Sequence, residues 1–123
     1  MKLSTVLAAL AIAAAGAAHA GGTHDHSPRH GGVVVEVKDL DYELVARPAS
    51  IQLYLRDHGQ GVDISKASAR LTLLTGTEKQ EVELKPAGGR LEATGSFKVG
   101  PGSKAVAVVT INGRASTARF TIQ

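Results

Sequence analysis

The chain has 123 residues, with 14 Lys and Arg, 11 Asp and Glu, five His and no Cys. This length allows one small domain and excludes two, and the balanced, interspersed charges argue against a nucleic-acid-binding face. Without Cys, no disulfide can support the fold, so an apolar core has to hold the domain together.

Residues 1–20 have the pattern of a bacterial export signal. Lys2 precedes an apolar run over 6–18, and the small-x-small ending Ala-His-Ala at 18–20 resembles a signal peptidase site. The apolar run is shorter than the roughly 20 residues that span a bilayer. We therefore predict a mature chain, residues 21–123, that is located in the periplasm or secreted and has no membrane span.

Residues 21–32, GGTHDHSPRHGG, contain no large apolar side chain. Such a segment buries too little surface to order itself, so it is predicted to be a flexible, disordered tail. Three of the four His of the mature chain, His24, His26 and His30, lie in it.

From Val33 onward, short runs of alternating apolar residues are separated by turn residues. This pattern predicts a single all-β domain over 33–123, an immunoglobulin-like antiparallel β-sandwich of seven or eight strands. The predicted strands are 33–38, 42–47, 50–56, 69–75, 80–85, 90–97, 104–111 and 114–122.

Three details of this sandwich follow from particular residues. The short connections at 39–41 and 47–49 predict that the first three strands form a meander, and Asn112-Gly113 predicts a type I′ hairpin. The run 104–111 has apolar residues on both faces, which predicts that this strand lies centrally in its sheet. Phe97 and Phe120 are expected in the core, and Tyr54 is expected to face outward.

The clustered His residues are the strongest chemical signal, because imidazole is the commonest metal ligand. His24 and His26 can chelate one ion in an extended chain, and His30 or Asp25 could complete the site. The fourth His, His58, lies in the loop Asp57-His58-Gly59. The predicted metal ligands are thus His24, His26, His30 and His58. The alternatives are a solvated tail and an ordinary turn residue.

The donor types limit which metal these ligands would bind. The mature chain has neither Cys nor Met, which argues against Cu(I). Imidazole and carboxylate favour Cu(II) or Zn(II), with Ni(II) and Co(II) also possible. Removal of Gly21 would place His24 third, where it could form an amino-terminal Cu(II) or Ni(II) chelate. Modest acidification should release the metal, because bound imidazole must be deprotonated.

Glu43 lies between strand-forming residues and is interpreted as a residue of the solvent-facing side. In a meander of strands about 20 Å long, Glu43 and His58 would lie toward the end away from His30, so one site using all of them would require the tail to fold back. No nucleophile motif and no phosphate-binding loop is present, so we predict no catalytic residues, no organic cofactor site and no enzymatic activity.

Several short motifs, taken in order, resemble small periplasmic β-sandwich proteins and domains associated with bacterial heavy-metal (cation) efflux systems. The motifs are His30-Gly31-Gly32, Tyr42-Glu43-Leu44-Val45, Leu53-Tyr54-Leu55, Asp57-His58-Gly59, Val62-Asp63 and Leu84-Lys85-Pro86. The resemblance covers most of residues 30–123. It implies periplasmic metal handling, His30 and His58 as ligands, and a component of a cation efflux system as partner.

The function expected from the sequence is that of a periplasmic divalent transition-metal-binding protein, acting as a buffer, carrier or accessory to metal efflux. The alternative is a non-catalytic, immunoglobulin-like interaction module of the cell envelope with an incidental His tail. A third interpretation, an accessory domain of a metal-dependent hydrolase, would require an open coordination position on the metal.

Overall fold

A computed structural model describes residues 25–123, so the predicted export signal lies outside the described residues. These residues form nine antiparallel β-strands, and within them no helix has the length and apolar character needed to cross a membrane. The strands are β1 Val33–Val37, β2 Leu40–Ala46, β3 Ser50–Asp57, β4 Gln60–Gly61, β5 Ser68–Thr75, β6 Glu78–Ala87, β7 Arg90–Thr94, β8 Lys104–Ile111 and β9 Arg114–Thr121.

The strands form two packed sheets that share β6. Sheet A has the order β1-β2-β3-β7-β6, with the short β4 also paired to β3, and sheet B has the order β6-β5-β8-β9. The first part of β6, as far as Leu84, pairs with β5, and its last residues, from Lys85 to Ala87, pair with β7. Strands β1 and β9 also lie against each other, so the sheets enclose the core almost completely.

The core lies between the inner faces of the two sheets, where strict alternation places the apolar side chains. On β6, for example, Val82 and Leu84 are buried while Glu81 and Glu83 are exposed. The buried apolar residues are Tyr42, Leu44, Ile51, Leu53, Leu55, Ile64, Ala67, Ala69, Leu71, Leu73, Val82, Leu84, Leu91, Ala105, Ala107, Val109, Ala118 and Phe120.

The structure confirms the predicted all-β sandwich, the meander of β1, β2 and β3, and the hairpin between β8 and β9. Phe120 is buried as expected, and Phe97 packs against the core while half-buried. Strand β8 lies between β5 and β9 and is therefore central in sheet B, as predicted. Val108 is 40% exposed, because no segment among residues 25–123 covers the outer face of sheet B at this strand.

Three tight turns lie at one end of the sandwich, here called the hairpin end. They are Lys38-Asp39 between β1 and β2, His58-Gly59 between β3 and β4, and Asn112-Gly113 between β8 and β9. Both residues of each turn have positive φ, as type I′ turns require. Because Leu40 pairs with Asp57, the first two turns are neighbours in sheet A.

Candidate metal centre

Residues 25–32, the part of the predicted tail that the structure describes, lie across the outer face of sheet A. We call this segment the strap. The Arg29 guanidinium donates to the Gly59 carbonyl at 2.8 Å, and the His30 ring stacks on Tyr54 with 3.6 Å between centroids. At its end, Gly32 approaches the β2 backbone so closely that a Cβ atom there would overlap the Leu44 carbonyl. The strap is thus attached along its length to β2, β3 and the turn that follows β3.

Glu43 of β2 is the main anchor of the strap. Its carboxylate accepts the backbone N–H groups of Arg29, His30 and Gly32 at 2.8 to 2.9 Å, and the residue is only 1% exposed. Burial acts to raise the pKa of Glu43, but the three N–H donors favour the charged form and hold that pKa below its ordinary value. The interpretation of Glu43 as a solvent-facing residue is therefore wrong, because the strap covers this part of the sheet.

A buried pair of opposite charges lies next to Glu43, closer to the hairpin end. Arg56 of β3 and Asp41 of β2 are register partners, and both are 5% exposed. Arg56 Nη2 donates to the carbonyl of Ser27 at 2.9 Å and lies 3.8 Å from an Asp41 carboxylate oxygen, and Nη1 lies 3.5 Å from Glu43. The guanidinium thus offsets part of the negative charge of the two carboxylates beneath the strap.

The strap brings His26 onto this charged surface. Its Nδ1 lies 2.7 and 2.9 Å from the two carboxylate oxygens of Asp41. Glu36 of β1 pairs directly with Asp41, so its side chain points to the same side of the sheet. His26, Glu36 and Asp41 each present one ligand atom, and these atoms lie within 4.8 Å of one another.

This cluster lines a small cavity of about 60 Å³ at the hairpin end. His58 and Asp39, which belong to two of the tight turns, line the same cavity, as does Asp25 at the start of the strap. The hydroxyl and backbone N–H of Ser27 hold the pKa of Asp25 below its ordinary value. Two imidazoles and four carboxyl groups therefore surround one cavity, an arrangement whose charge favours a cation.

The structure separates the predicted ligands into two groups. His26 and His58 line the same cavity, whereas His30 stacks on Tyr54 and is not part of it. His24 lies outside the described residues. The expected separation of Glu43 from His30 is wrong, since the His30 backbone binds Glu43 directly. A site that joins the strap and the sheet requires the tail to fold back. In the structure the strap does fold back onto sheet A.

Sequence reasoning missed Glu36 and Asp41 as candidate ligands because it misplaced one turn. It assigned the connection to residues 39–41, whereas the turn is Lys38-Asp39, and only this register pairs Glu36 with Asp41. Neither turn residue is Gly or Asn, so the usual signal for a type I′ turn is absent. Arg56 was missed for a different reason, since alternation on β3 assigns it to a face that ordinarily meets water.

The donor set suits a transition metal, since imidazole nitrogen and carboxylate oxygen are ligands that Zn(II) and Cu(II) accept. With bonds of about 2.0–2.2 Å, two ligands of a tetrahedral ion lie about 3.3 Å apart. His26 and Asp41 are closer than this because they are hydrogen-bonded to each other. A shift of His26 by ~0.6 Å would admit an ion between them, and its side chain is 45% exposed.

Comparison with known proteins adds no relative to this description. No protein-family model, no curated protein and no solved structure matches the chain. Function therefore has to be argued from the residues of the site.

Proposed function

We propose that the protein binds one divalent transition-metal ion between the strap and sheet A, with His26, Glu36 and Asp41 as ligands and His58 as a further ligand from the same cavity. The observation that carries the proposal is the convergence of a strap imidazole and two sheet carboxylates within 4.8 Å. Zn(II) and Cu(II) suit this donor set best, and Ni(II) or Co(II) are the other candidates.

The mixed origin of the ligands favours a role in carrying or buffering the ion. Glu36 and Asp41 belong to β1 and β2 and His58 to the turn after β3, whereas His26 belongs to a strap that is attached mainly by polar contacts. Movement of the strap would remove one ligand and open the site to another binding protein. Together with the predicted export signal, this supports a periplasmic metal carrier or buffer that exchanges its ion with a cation efflux system, as the family resemblance implies.

The test is a calorimetric titration of the mature chain, residues 21–123, with Zn(II) and Cu(II) at neutral pH. Loss of an imidazole ligand in His26→Ala, or of a charge in Glu36→Gln, should weaken binding by about tenfold or more. His30→Ala is the matched control, because His30 belongs to the same strap but lies outside the cavity. Its affinity should stay within about twofold of the parent, well below the loss expected for a ligand.

Two results would overturn the proposal. In the first, His26→Ala binds the metal as tightly as the parent and the His30→Ala control do. In the second, His24→Ala and His26→Ala abolish binding while Glu36→Gln has no effect, which would place the ligands on the tail alone. A parallel titration with Ca(II), which prefers all-oxygen sites, distinguishes a histidine-dependent site from general attraction to carboxylates.

One observation favours the alternative function, an interaction module. Leu74 and Val108 are large apolar residues on the outer face of sheet B and are 41% and 40% exposed. If neither metal binds, this face is the first surface on which to test partner binding, by replacing both residues with Thr.

A further inference from the structure

A second cavity opens at the hairpin end, on the opposite side of β2 from the candidate metal centre. It lies between the two sheets and has a volume of about 560 Å³. Leu40 and Tyr42 of β2 line it, whereas Asp41 between them faces the metal cluster. The two cavities are therefore separate sites on opposite faces of one strand. We call the larger one the cleft.

The base and walls of the cleft are mainly apolar because it is an open end of the core, and Asn112 and Ser116 add two uncharged polar residues to its lining. Tyr42 and Val109, each 1% exposed, are core residues at its base. Leu40, Val62 and Ile111 form its walls, and all three are half-buried residues that pack against the core. The volume of the cleft falls in the range of roughly 300–1,000 Å³ that is usual for small-molecule sites. Such sites are also lined mainly by apolar side chains, as the cleft is.

The rim of the cleft carries positive charge on both sheets. Lys38 extends from the β1–β2 turn and Arg114 from the start of β9. Within residues 25–123 neither side chain has an ion-pair or hydrogen-bond partner. Asp57 is the acidic residue of the lining, and its carboxylate already contacts His58 Nδ1 at 2.5 Å. The two cationic side chains outnumber the one carboxylate, so the rim has a net positive charge that favours an anionic group.

We propose that the cleft binds a small amphipathic carboxylate, a free molecule with an apolar chain and one anionic group. The chain would occupy the space between Leu40, Val62 and Ile111, and the carboxylate would lie at the rim between Lys38 and Arg114. This site uses none of the proposed metal ligands, so it stands whether or not the protein binds a metal.

The test is an NMR titration of the mature chain with sodium octanoate, followed through backbone amide shifts, with EDTA present to exclude any effect of metal. Octanol and octylammonium serve as neutral and cationic probes of the same chain length. We expect amide shifts at β2, residue 62 and the β8–β9 turn, and an affinity in the order octanoate, octanol, octylammonium. Equal affinity for octanoate and octylammonium would overturn the proposal, as would the absence of shifts at these residues.

Variants separate the contributions of charge and volume. Lys38→Asn removes the charge and keeps a residue that tolerates the positive φ of this turn position. This variant and Arg114→Gln should each weaken octanoate binding about threefold and leave octanol unchanged, and the double variant should weaken it about tenfold. Ile111→Trp should fill the cleft and weaken both ligands by more than tenfold.

Arg119→Gln is the matched control for the loss of charge, because Arg119 is an exposed residue of β9 that does not line the cleft. If Arg119→Gln weakens octanoate binding as much as Arg114→Gln does, the effect is one of net charge and the proposal fails. Thermal unfolding of each variant establishes that it is folded, so that a lost site is not mistaken for a lost fold.

Discussion

Sheet A and sheet B share one core, but their outer faces differ in composition and in whether another segment covers them. The outer face of sheet A carries the buried charged residues Asp41, Glu43 and Arg56, which the strap covers. The outer face of sheet B carries exposed Leu74 and Val108. The inner faces are specified by apolar alternation, whereas the covered outer face is specified by individual hydrogen bonds. A pattern of residue types can encode the first kind of packing but not the second.

The largest difference in the loss of stability on substitution should be between a residue of the core and a residue of the uncovered outer face of sheet B. Leu53→Ala removes a side chain that is 0% exposed between the sheets and should lower the free energy of unfolding by about 2–5 kcal/mol. Leu74→Ala, the same substitution at a 41% exposed position, should cost about 0.5 kcal/mol or less. Urea unfolding of both variants measures the difference, and equal losses would contradict the assignment of the core.

This contrast explains how much of the fold the sequence could predict. The eight principal strands and the Asn112-Gly113 hairpin were predictable, since alternation and turn chemistry act between near neighbours. The two-residue β4 was not predicted, because so short a strand has no periodicity. The candidate site was only partly predictable: His26 and His58 were identified from residue type, whereas Glu36 and Asp41 depended on a turn register without a local signal.

The strap was missed for a physical reason. Its attachment relies on backbone N–H groups and on a glycine that fits beneath a carbonyl, and neither appears in a hydropathy pattern. A segment of polar residues and Gly is typical of a flexible tail unless a buried acceptor such as Glu43 is known to lie beside it.

The next largest loss of stability should come from adding a side chain at Gly32, where the end of the strap lies close to the β2 backbone. Gly32→Ala places a methyl group against the Leu44 carbonyl, and this overlap has to be relieved by moving the strap or β2. We expect a loss of about 1–3 kcal/mol of unfolding free energy, with faster amide hydrogen exchange at Arg29 and His30. Gly89→Ala is the control, since nothing lies within 4 Å of its Cβ position. Equal stability of the two variants would show that the strap does not pack as described.

Removal of the charge on Glu43 should have a smaller and pH-dependent effect. At pH 7, Glu43→Gln should destabilise the protein by about 1–2 kcal/mol, because one amide oxygen accepts fewer and weaker bonds than the carboxylate. The pKa of Glu43 in the folded protein lies below its ordinary value, so its contribution is complete above the ordinary glutamate pKa of about 4.3. That contribution is lost as the pH falls through the lowered pKa.

The measurement is urea unfolding of both proteins at pH 7 and at pH 3. The parent should lose more stability between these pH values than Glu43→Gln does, so the gap between the two curves should narrow at pH 3. Glu81→Gln, at an exposed position of β6, is the control and should follow the parent at both pH values. A constant gap between the parent and Glu43→Gln would mean that the carboxylate does not stabilise the strap through its charge.

The smallest effect should come from the stacked pair His30 and Tyr54. An aromatic contact at 3.6 Å and 8° between planes contributes about 0.5–1 kcal/mol at a partly exposed position, so His30→Ala should cost no more than this. The protein has only two Tyr, which makes the Tyr54 ring resonances simple to assign by NMR. His30→Ala should shift them markedly through loss of the ring current, whereas Tyr54→Phe keeps the stack and should preserve strap exchange rates. Unchanged Tyr54 resonances in His30→Ala would contradict the stacked position of the strap. A clear shift of the Tyr54 resonances with little loss of stability would mean that the stack orients the strap but stabilises it little. The Glu43 hydrogen bonds would then supply most of the free energy that holds the strap on sheet A.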